Sequence, residues 1–415
     1  MLIATGLYGT GATIYGGHDL KNWDTTHNIT LESLSYGIEE TAVYALLSVP
    51  GGPPLLSAVA DVGGFIHYNL DTAPAQSFHT PTYGTTHDLD YAGNSPASIV
   101  RTGELSTAIQ IALSSDYGVT WNQDYGGSIG LGPGPVAYSA DATAVLLLSN
   151  TGGPLISRYT STFSAVSTLP SGTTTTIASD KRNATVFYAG AAGSFYVSTD
   201  IGVTFTKTAT LGSSTVVNKV RVHPTVAGDV WASTDVGLFH STNYGASFEQ
   251  IGSGCTLGYS FALGAASTST GYPVIYGFFT VDNVLALYKT EDAGLNWAMI
   301  SDAAHGFGAA SANVVGASYA TYGLVFVGTN GRGTFYGVPS GTLPPVTVTG
   351  TSTIASSTTT SSSTVAMTSS TKASTTSTST TISSTKASST TATSSTESST
   401  SSSTSKTSST STSSA

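Results

Sequence analysis

Apolar residues along this chain fall in short runs that alternate with polar ones and are cut by turn formers, the pattern of half-buried strands. The clearest block runs from Lys219 to Phe248. Val220-Arg221-Val222-His223-Pro224 ends one strand and Val230-Trp231-Ala232-Ser233-Thr234 is a second. Asp235-Val236-Gly237 turns, and Leu238-Phe239-His240-Ser241 is a third. Similar runs occupy 13–15, 28–31, 99–101, 109–113, 136–138, 144–148, 186–188, 195–197 and 324–328. Residues 55–59 and 64–68 read as a strand pair with Asp61-Val62-Gly63 at the turn. Helical periodicity appears nowhere over a useful length.

One turn returns. Ser114-Ser115-Asp116-Tyr117-Gly118-Val119-Thr120-Trp121 is repeated by Ser198-Thr199-Asp200-Ile201-Gly202-Val203-Thr204-Phe205. It recurs with Asn at Ser241-Thr242-Asn243-Tyr244-Gly245-Ala246-Ser247-Phe248, and more loosely at 290–297. Asp116 and Asp200 are 84 residues apart, and the next intervals are 43 and 49. The first is close to twice the second, so a worn copy is expected between them, at 157–163. An Asp or Asn side chain can accept hydrogen bonds from the backbone N–H groups ahead of it, and the Gly supplies positive φ. The aromatic residue then anchors the next strand. This is the Asp-box of β-propeller blades. Asp116, Asp200 and Asp292 look like a row of catalytic carboxylates, but a repeated turn former needs no catalytic explanation. A period in the forties means stacked units. Residues 1–343 are therefore expected to form an all-β propeller of about seven blades.

Composition changes the picture at the C-terminal end. From about Pro344 to residue 415 nearly every residue is Ser, Thr or Ala. Such a stretch cannot bury enough apolar surface to offset the entropy of ordering it, and it is expected to be a disordered, O-glycosylated linker. Thirteen Lys and Arg stand against 23 Asp and Glu, a formal charge of −10. Sparse acidic charge argues against nucleic acid and anionic membrane as partners and suits a neutral ligand. Cys255 is the lone cysteine, expected to be a small buried residue. Sequons at Asn28 and Asn183 agree with a secreted route, although residues 1–9 do not read as a signal peptide. His18, His223, His240 and His305 have no metal-ligand spacing, and no cofactor is implied.

A propeller carries its function in loops, not in the repeat. The least repeat-like segment is 74–96, with His79, Tyr83, His87, Asp88, Asp90 and Tyr91. A carboxyl group among aromatics suits carbohydrate hydrolysis, since ring faces stack on sugars and apolar surroundings favour a protonated acid. On one strand Asp88 and Asp90 would face the same way, about 6.6 Å apart. They cannot flank a scissile bond from opposite sides, so if Asp90 is the acid its base lies elsewhere. A solvated or turn-capping Asp90 is the plain alternative. Tyr83, Tyr91 and Trp23 are candidate sugar platforms, although Tyr91 and Trp23 could equally pack between blades. Arg332, between glycines, reads as a blade-end residue, and Glu39 and Glu40 as loop charge.

The block Tyr8-Gly9-Thr10-Gly11, Ile14-Tyr15-Gly16-Gly17-His18-Asp19-Leu20 and Trp23-Asp24 carries a resemblance, together with Gly37-Ile38-Glu39-Glu40, Asp90-Tyr91-Ala92-Gly93-Asn94-Ser95 and Val327-Gly328-Thr329-Asn330-Gly331-Arg332-Gly333. With the Asp-boxes, these segments make residues 1 to about 340 resemble the C-terminal half of fungal xyloglucanases of glycoside hydrolase family 74. The resemblance implies two facing propellers, inversion at the anomeric carbon, and one Asp from each propeller. It places the general acid on Asp90 and the general base on an N-terminal propeller outside this sequence. The implied partners are plant cell-wall xyloglucan or a related β-1,4-glucan and a separate N-terminal half. A non-catalytic polysaccharide-binding propeller on a Ser/Thr stalk is the alternative. A protein-binding propeller of the sortilin sort is disfavoured by the single cysteine.

Overall fold

A computed structural model of the chain describes residues 6–9, 14–34, 40–104, 111–125, 132–170, 175–252, 254–302 and 306–340. The Ser/Thr-rich stretch from 344, Glu39 and His305 lie outside the described residues. Eight antiparallel sheets form in chain order. The first holds β1 (Gly6–Gly9), β2 (Ile14–Gly17) and β3 (Glu32–Ser33), with a one-turn helix α1 (Trp23–Thr26) between the last two. Among the described residues its strands pair only with one another. The strand expected at 28–31 is displaced to β3, because α1 and the left-handed His27 (φ 56°) take up the preceding residues.

The other seven sheets are the blades. Blade 1 is β4 (Val43–Leu47), β5 (Leu55–Val59) and β6 (Gly63–His67). Blade 2 is β7 (Thr86–Ala92), β8 (Ser95–Gly103), β9 (Ile111–Ser114) and β10 (Asn122–Tyr125). Blade 3 is β11 (Val136–Tyr138), β12 (Ala144–Ser149), β13 (Gly153–Arg158) and β14 (Phe163–Ala165). Blade 4 is β15 (Thr176–Ser179), β16 (Phe187–Ala191), β17 (Ser194–Ser198) and β18 (Thr206–Thr210). Blade 5 is β19 (Val217–Val222), β20 (Val230–Thr234), β21 (Gly237–Ser241) and β22 (Glu249–Ile251). Blade 6 is β23 (Cys255–Gly264), β24 (Val274–Val281), β25 (Val284–Thr290) and β26 (Ala298–Met299). Blade 7 is β27 (Val314–Ala317), β28 (Val325–Gly328) and β29 (Thr334–Gly337).

The first strand of each blade lies beside the first strand of the next, and β27 lies beside β4, which closes a seven-bladed ring around a channel. Second strands such as β12 and β20 are buried along their whole length, because neighbouring blades cover both faces. They accordingly read as continuous apolar runs, whereas the outer β18 is mostly exposed. The core is thus a set of layers between blades, for example Leu146, Ile156, Phe187 and Phe205 between blades 3 and 4. Cys255 is buried in such a layer, and burial pushes its thiol up to about 11.

Strand order fixes what each face of the ring carries. Connections into the inner strand, and turns from second to third strand, lie where the inner strands begin. The Asp-boxes connect third to fourth strands and lie on the opposite face. Their geometry is the expected one. In the Asp200 box, Ser198 Oγ donates to Asp200 Oδ1 at 2.7 Å, Thr204 N–H to the same oxygen at 3.0 Å, and Thr204 Oγ1 to Oδ2 at 2.7 Å. Ile201 and Gly202 both have positive φ, at 60° and 75°. The worn copy sits where it was expected, between β13 and β14, with Tyr159 at φ 57°.

Burial raises the Asp200 carboxyl, but the hydrogen bonds from Thr204, Ser198 and Val203 outweigh it and hold the group below its ordinary value. A depressed carboxyl stabilises the fold above its unfolded pKa and loses that contribution as pH falls through its folded value. Asp200→Ala should therefore cost about 1–2 kcal/mol near neutral pH. Asp200→Asn should cost much less, since Asn243 fills the same position and accepts from Ser247 N–H at 3.0 Å. Urea unfolding at pH 7 and again near pH 3 checks this: the wild-type advantage over Asp200→Asn should shrink at the lower pH.

Candidate functional site

The central channel is a cavity of about 290 Å³. Asp88 and Asp90 both line it from β7, side by side as their spacing predicts. Each accepts a backbone N–H from the neighbouring β11, Asp88 from Val136 at 3.0 Å and Asp90 from Tyr138 at 2.8 Å. Burial raises the Asp88 carboxyl.

Asp90 is held differently. Lys181 Nζ donates to both its oxygens, at 2.7 and 2.8 Å, and Ser179 Oγ donates to Oδ2 at 3.3 Å. The same ammonium donates to Tyr91 O at 2.8 Å and lies over the Tyr91 ring. Side-chain exposure is 7% for Lys181 and 16% for Asp90. Three donor groups, Lys181 Nζ, Ser179 Oγ and Tyr138 N–H, are thus aimed at one carboxylate. The segment after β7 is built around this pair: a Cβ on Gly93 would stand 1.9 Å from Lys181 O, so only glycine fits the turn.

Two of the candidate sugar platforms are core residues. Tyr83 is 1% exposed and Tyr91 2%, so neither ring face is open to a ligand. Tyr83 packs over the buried Arg101 guanidinium, at 4.6 Å to the ring centroid, with Phe78 and Trp121 on its other sides. Arg101 Nη2 donates to Pro81 O at 2.5 Å and so ties down the 74–85 connection. Trp23 is 56% exposed, but it sits in α1, outside the seven blades. Arg332 Nη1 donates to Gly306 O at 3.0 Å, in keeping with a blade-end role.

The face where the inner strands begin carries a different set. Asp61 sits at the β5–β6 turn, exposed, with φ 65° in a tight turn closed by Val62 N–H to Ala60 O at 2.7 Å. Asp is among the few non-glycine residues that adopt this left-handed conformation readily, which suits it to the tip of so small a turn. No hydrogen bond to another described residue holds its carboxyl. The turn joins the 74–85 connection through Gly63 N–H to Gly84 O at 2.9 Å. On the same face Tyr44 is 46% exposed and lies 5.2 Å from the His87 ring, and His87 Nε2 meets Glu104 Oε1 at 2.8 Å. The sequence placed Asp61 at a turn without marking it. Its connection has three residues, one more than the Ala192-Gly193, Asp235-Val236 and Asp282-Asn283 turns of blades 4, 5 and 6, and the Asp itself is no signal, since two of those turns also hold one.

Comparison with known proteins decides the family. A xyloglucanase of Hypocrea jecorina is 45% identical over 333 residues, covering 80% of this chain. The chain belongs to the GH74 xyloglucanase family. A Paenibacillus xyloglucanase is 35% identical over 368 residues. The crystal structure of the GH74 xyloglucanase from Xanthomonas campestris superposes with a TM-score of 0.70 at 27% identity, covering 81% of this chain and 48% of that one. No family model matches the chain. The chain spans 39% of the Hypocrea relative's length and 35% of the Paenibacillus relative's, so the matched region is one part of a longer GH74 architecture.

Proposed function

We propose that this GH74 propeller is one wall of a xyloglucan-hydrolysing site, with the β-1,4-glucan backbone lying across the face where the inner strands begin. The match to the Hypocrea xyloglucanase carries this proposal. A glycosidic oxygen needs a proton as it leaves, and inversion needs a second carboxylate on the other side of the sugar. A donor must be able to gain a proton and reach the bond. Asp61 is the first candidate: it is exposed, free of described partners and held on a tight turn beside the 74–85 connection, on the same face as Tyr44. Asp90, to which the family resemblance assigned the role, is the second candidate, and it could act only if Lys181 withdrew. The base is proposed to come from an N-terminal propeller, and the protein to act outside the cell on plant wall polysaccharide. The plain alternative, a glucan-binding propeller without catalysis, keeps the same face.

Release of xyloglucan oligosaccharides by the chain alone, and by the chain mixed with a separately expressed N-terminal propeller, tests this. Turnover is expected in the mixture only. Turnover by the chain alone would place the base within these residues. Glucan binding with no turnover in either sample would leave the binding module.

A further inference from the structure

Two cations in the channel share one remaining carboxylate, Asp88, and neither forms an ion pair with it. Lys219 and Arg221 are two residues apart on β19, so their side chains leave the strand on the same side, and both line the channel. The channel's five charged side chains are Lys181, Lys219 and Arg221 against Asp88 and Asp90, an excess of one positive charge. Lys181 is spent on Asp90. Neither Lys219 nor Arg221 makes an ion pair with a described carboxylate. Arg221 donates Nε to Phe261 O at 3.1 Å and Nη1 to Val220 O at 3.4 Å, which leaves Nη2 unused. No described acceptor meets Lys219 Nζ. Like charges side by side in a confined space repel, and a half-buried cation without a hydrogen-bonded partner is unfavourable. The Arg221 charge and burial together push the Lys219 ammonium down to about 8, against the pull of Asp88 and Asp90.

We propose that the channel binds a small oxyanion, held between the Lys219 ammonium and the Arg221 guanidinium. The cavity of about 290 Å³ is several times the ~30 Å³ share of a water molecule, enough for a phosphate-sized guest. The free guanidinium edge and the ammonium supply charge-assisted donors of the kind that recognise such anions. The guest would neutralise the excess charge and tie β19 to the strands opposite. This site is separate from the Asp61 turn and does not depend on the proposed hydrolysis.

The test is thermal unfolding of the full chain in increasing inorganic phosphate at constant ionic strength. Wild type should gain roughly 2–4 °C by about ten times the dissociation constant, and the gain should go on rising with the logarithm of phosphate concentration. Lys219→Gln and Arg221→Gln should lose that gain, while Lys207→Gln, at an exposed lysine on β18, should keep it. An equal gain in wild type and Lys219→Gln would reveal a general salt effect and overturn the site, as would no gain in wild type. If the channel variants fail to fold, bromide soaked into crystals of the unmodified chain decides. An anomalous peak between Lys219 and Arg221 supports the site, and its absence overturns it.

Discussion

Asp61→Asn should lower xyloglucan turnover roughly 10²–10⁴-fold in whichever preparation is active, with little change in KM, because proton donation acts in the transition state and not in binding. The substitution removes a proton and keeps the shape, and the side chain is exposed at a turn, so the fold should be unaffected. Asp90→Asn is the informative comparison. It removes the charge opposite Lys181, and its main effect should be on stability. Steady-state kinetics on the two purified variants, with circular dichroism as the folding control, separates the candidates. Full turnover in Asp61→Asn together with folded but inactive Asp90→Asn would return the acid to Asp90 and require Lys181 to move.

The second large effect is on the fold. Lys181→Met should destabilise the propeller by about 3–5 kcal/mol, since it strands a largely buried carboxylate whose remaining donors are Tyr138 N–H and Ser179 Oγ. For a domain of this size that is on the order of a 10 °C fall in Tm. The loss arises from the orphaned charge, so Lys181→Met combined with Asp90→Asn should recover part of it. A double-mutant cycle in urea unfolding measures the recovery. Purely additive losses would mean that the pair is not coupled, whatever its 2.7 Å separation suggests.

The ring was legible because its signals are local. The Asp-box needs only residues within one turn to satisfy its carboxylate, so the spacing of Asp116, Asp200 and Asn243 revealed the blades directly. Even the degenerate copy at 157–163 fell in the right connection. Strand 144–148 was readable because blade packing imposes a run of apolar residues on second strands. The site was less legible because its contacts are remote. Lys181 meets Asp90 across 91 positions of sequence, and no periodicity announces such a pair. Aromatic residues mislead for the same reason. Tyr83 and Tyr91 have the composition of a sugar platform, but whether a ring faces solvent or Arg101 is settled by which neighbours close over it. Lys219 and Arg221 were within reach: two cations at strand spacing, in a chain with only thirteen Lys and Arg, mark one face as basic.

Blades 1 and 7 are each assembled from one continuous stretch, and neither lends a strand to the other. What joins them, among the described residues, is an isolated bridge between Ala42 and Asn330, three nearby backbone hydrogen bonds from Val43, Gly331 and Gly333, a hydrogen bond from the Tyr336 hydroxyl to Asp71 just after β6, and packing such as that of β4 beside β27 and of Leu55 against Leu324 and Phe326. The propeller is therefore a split washer, not a welded one. Its weakest joint is known in advance: forced apart by heat, tension or a protease, it should gape at this seam while the five four-stranded blades are still standing.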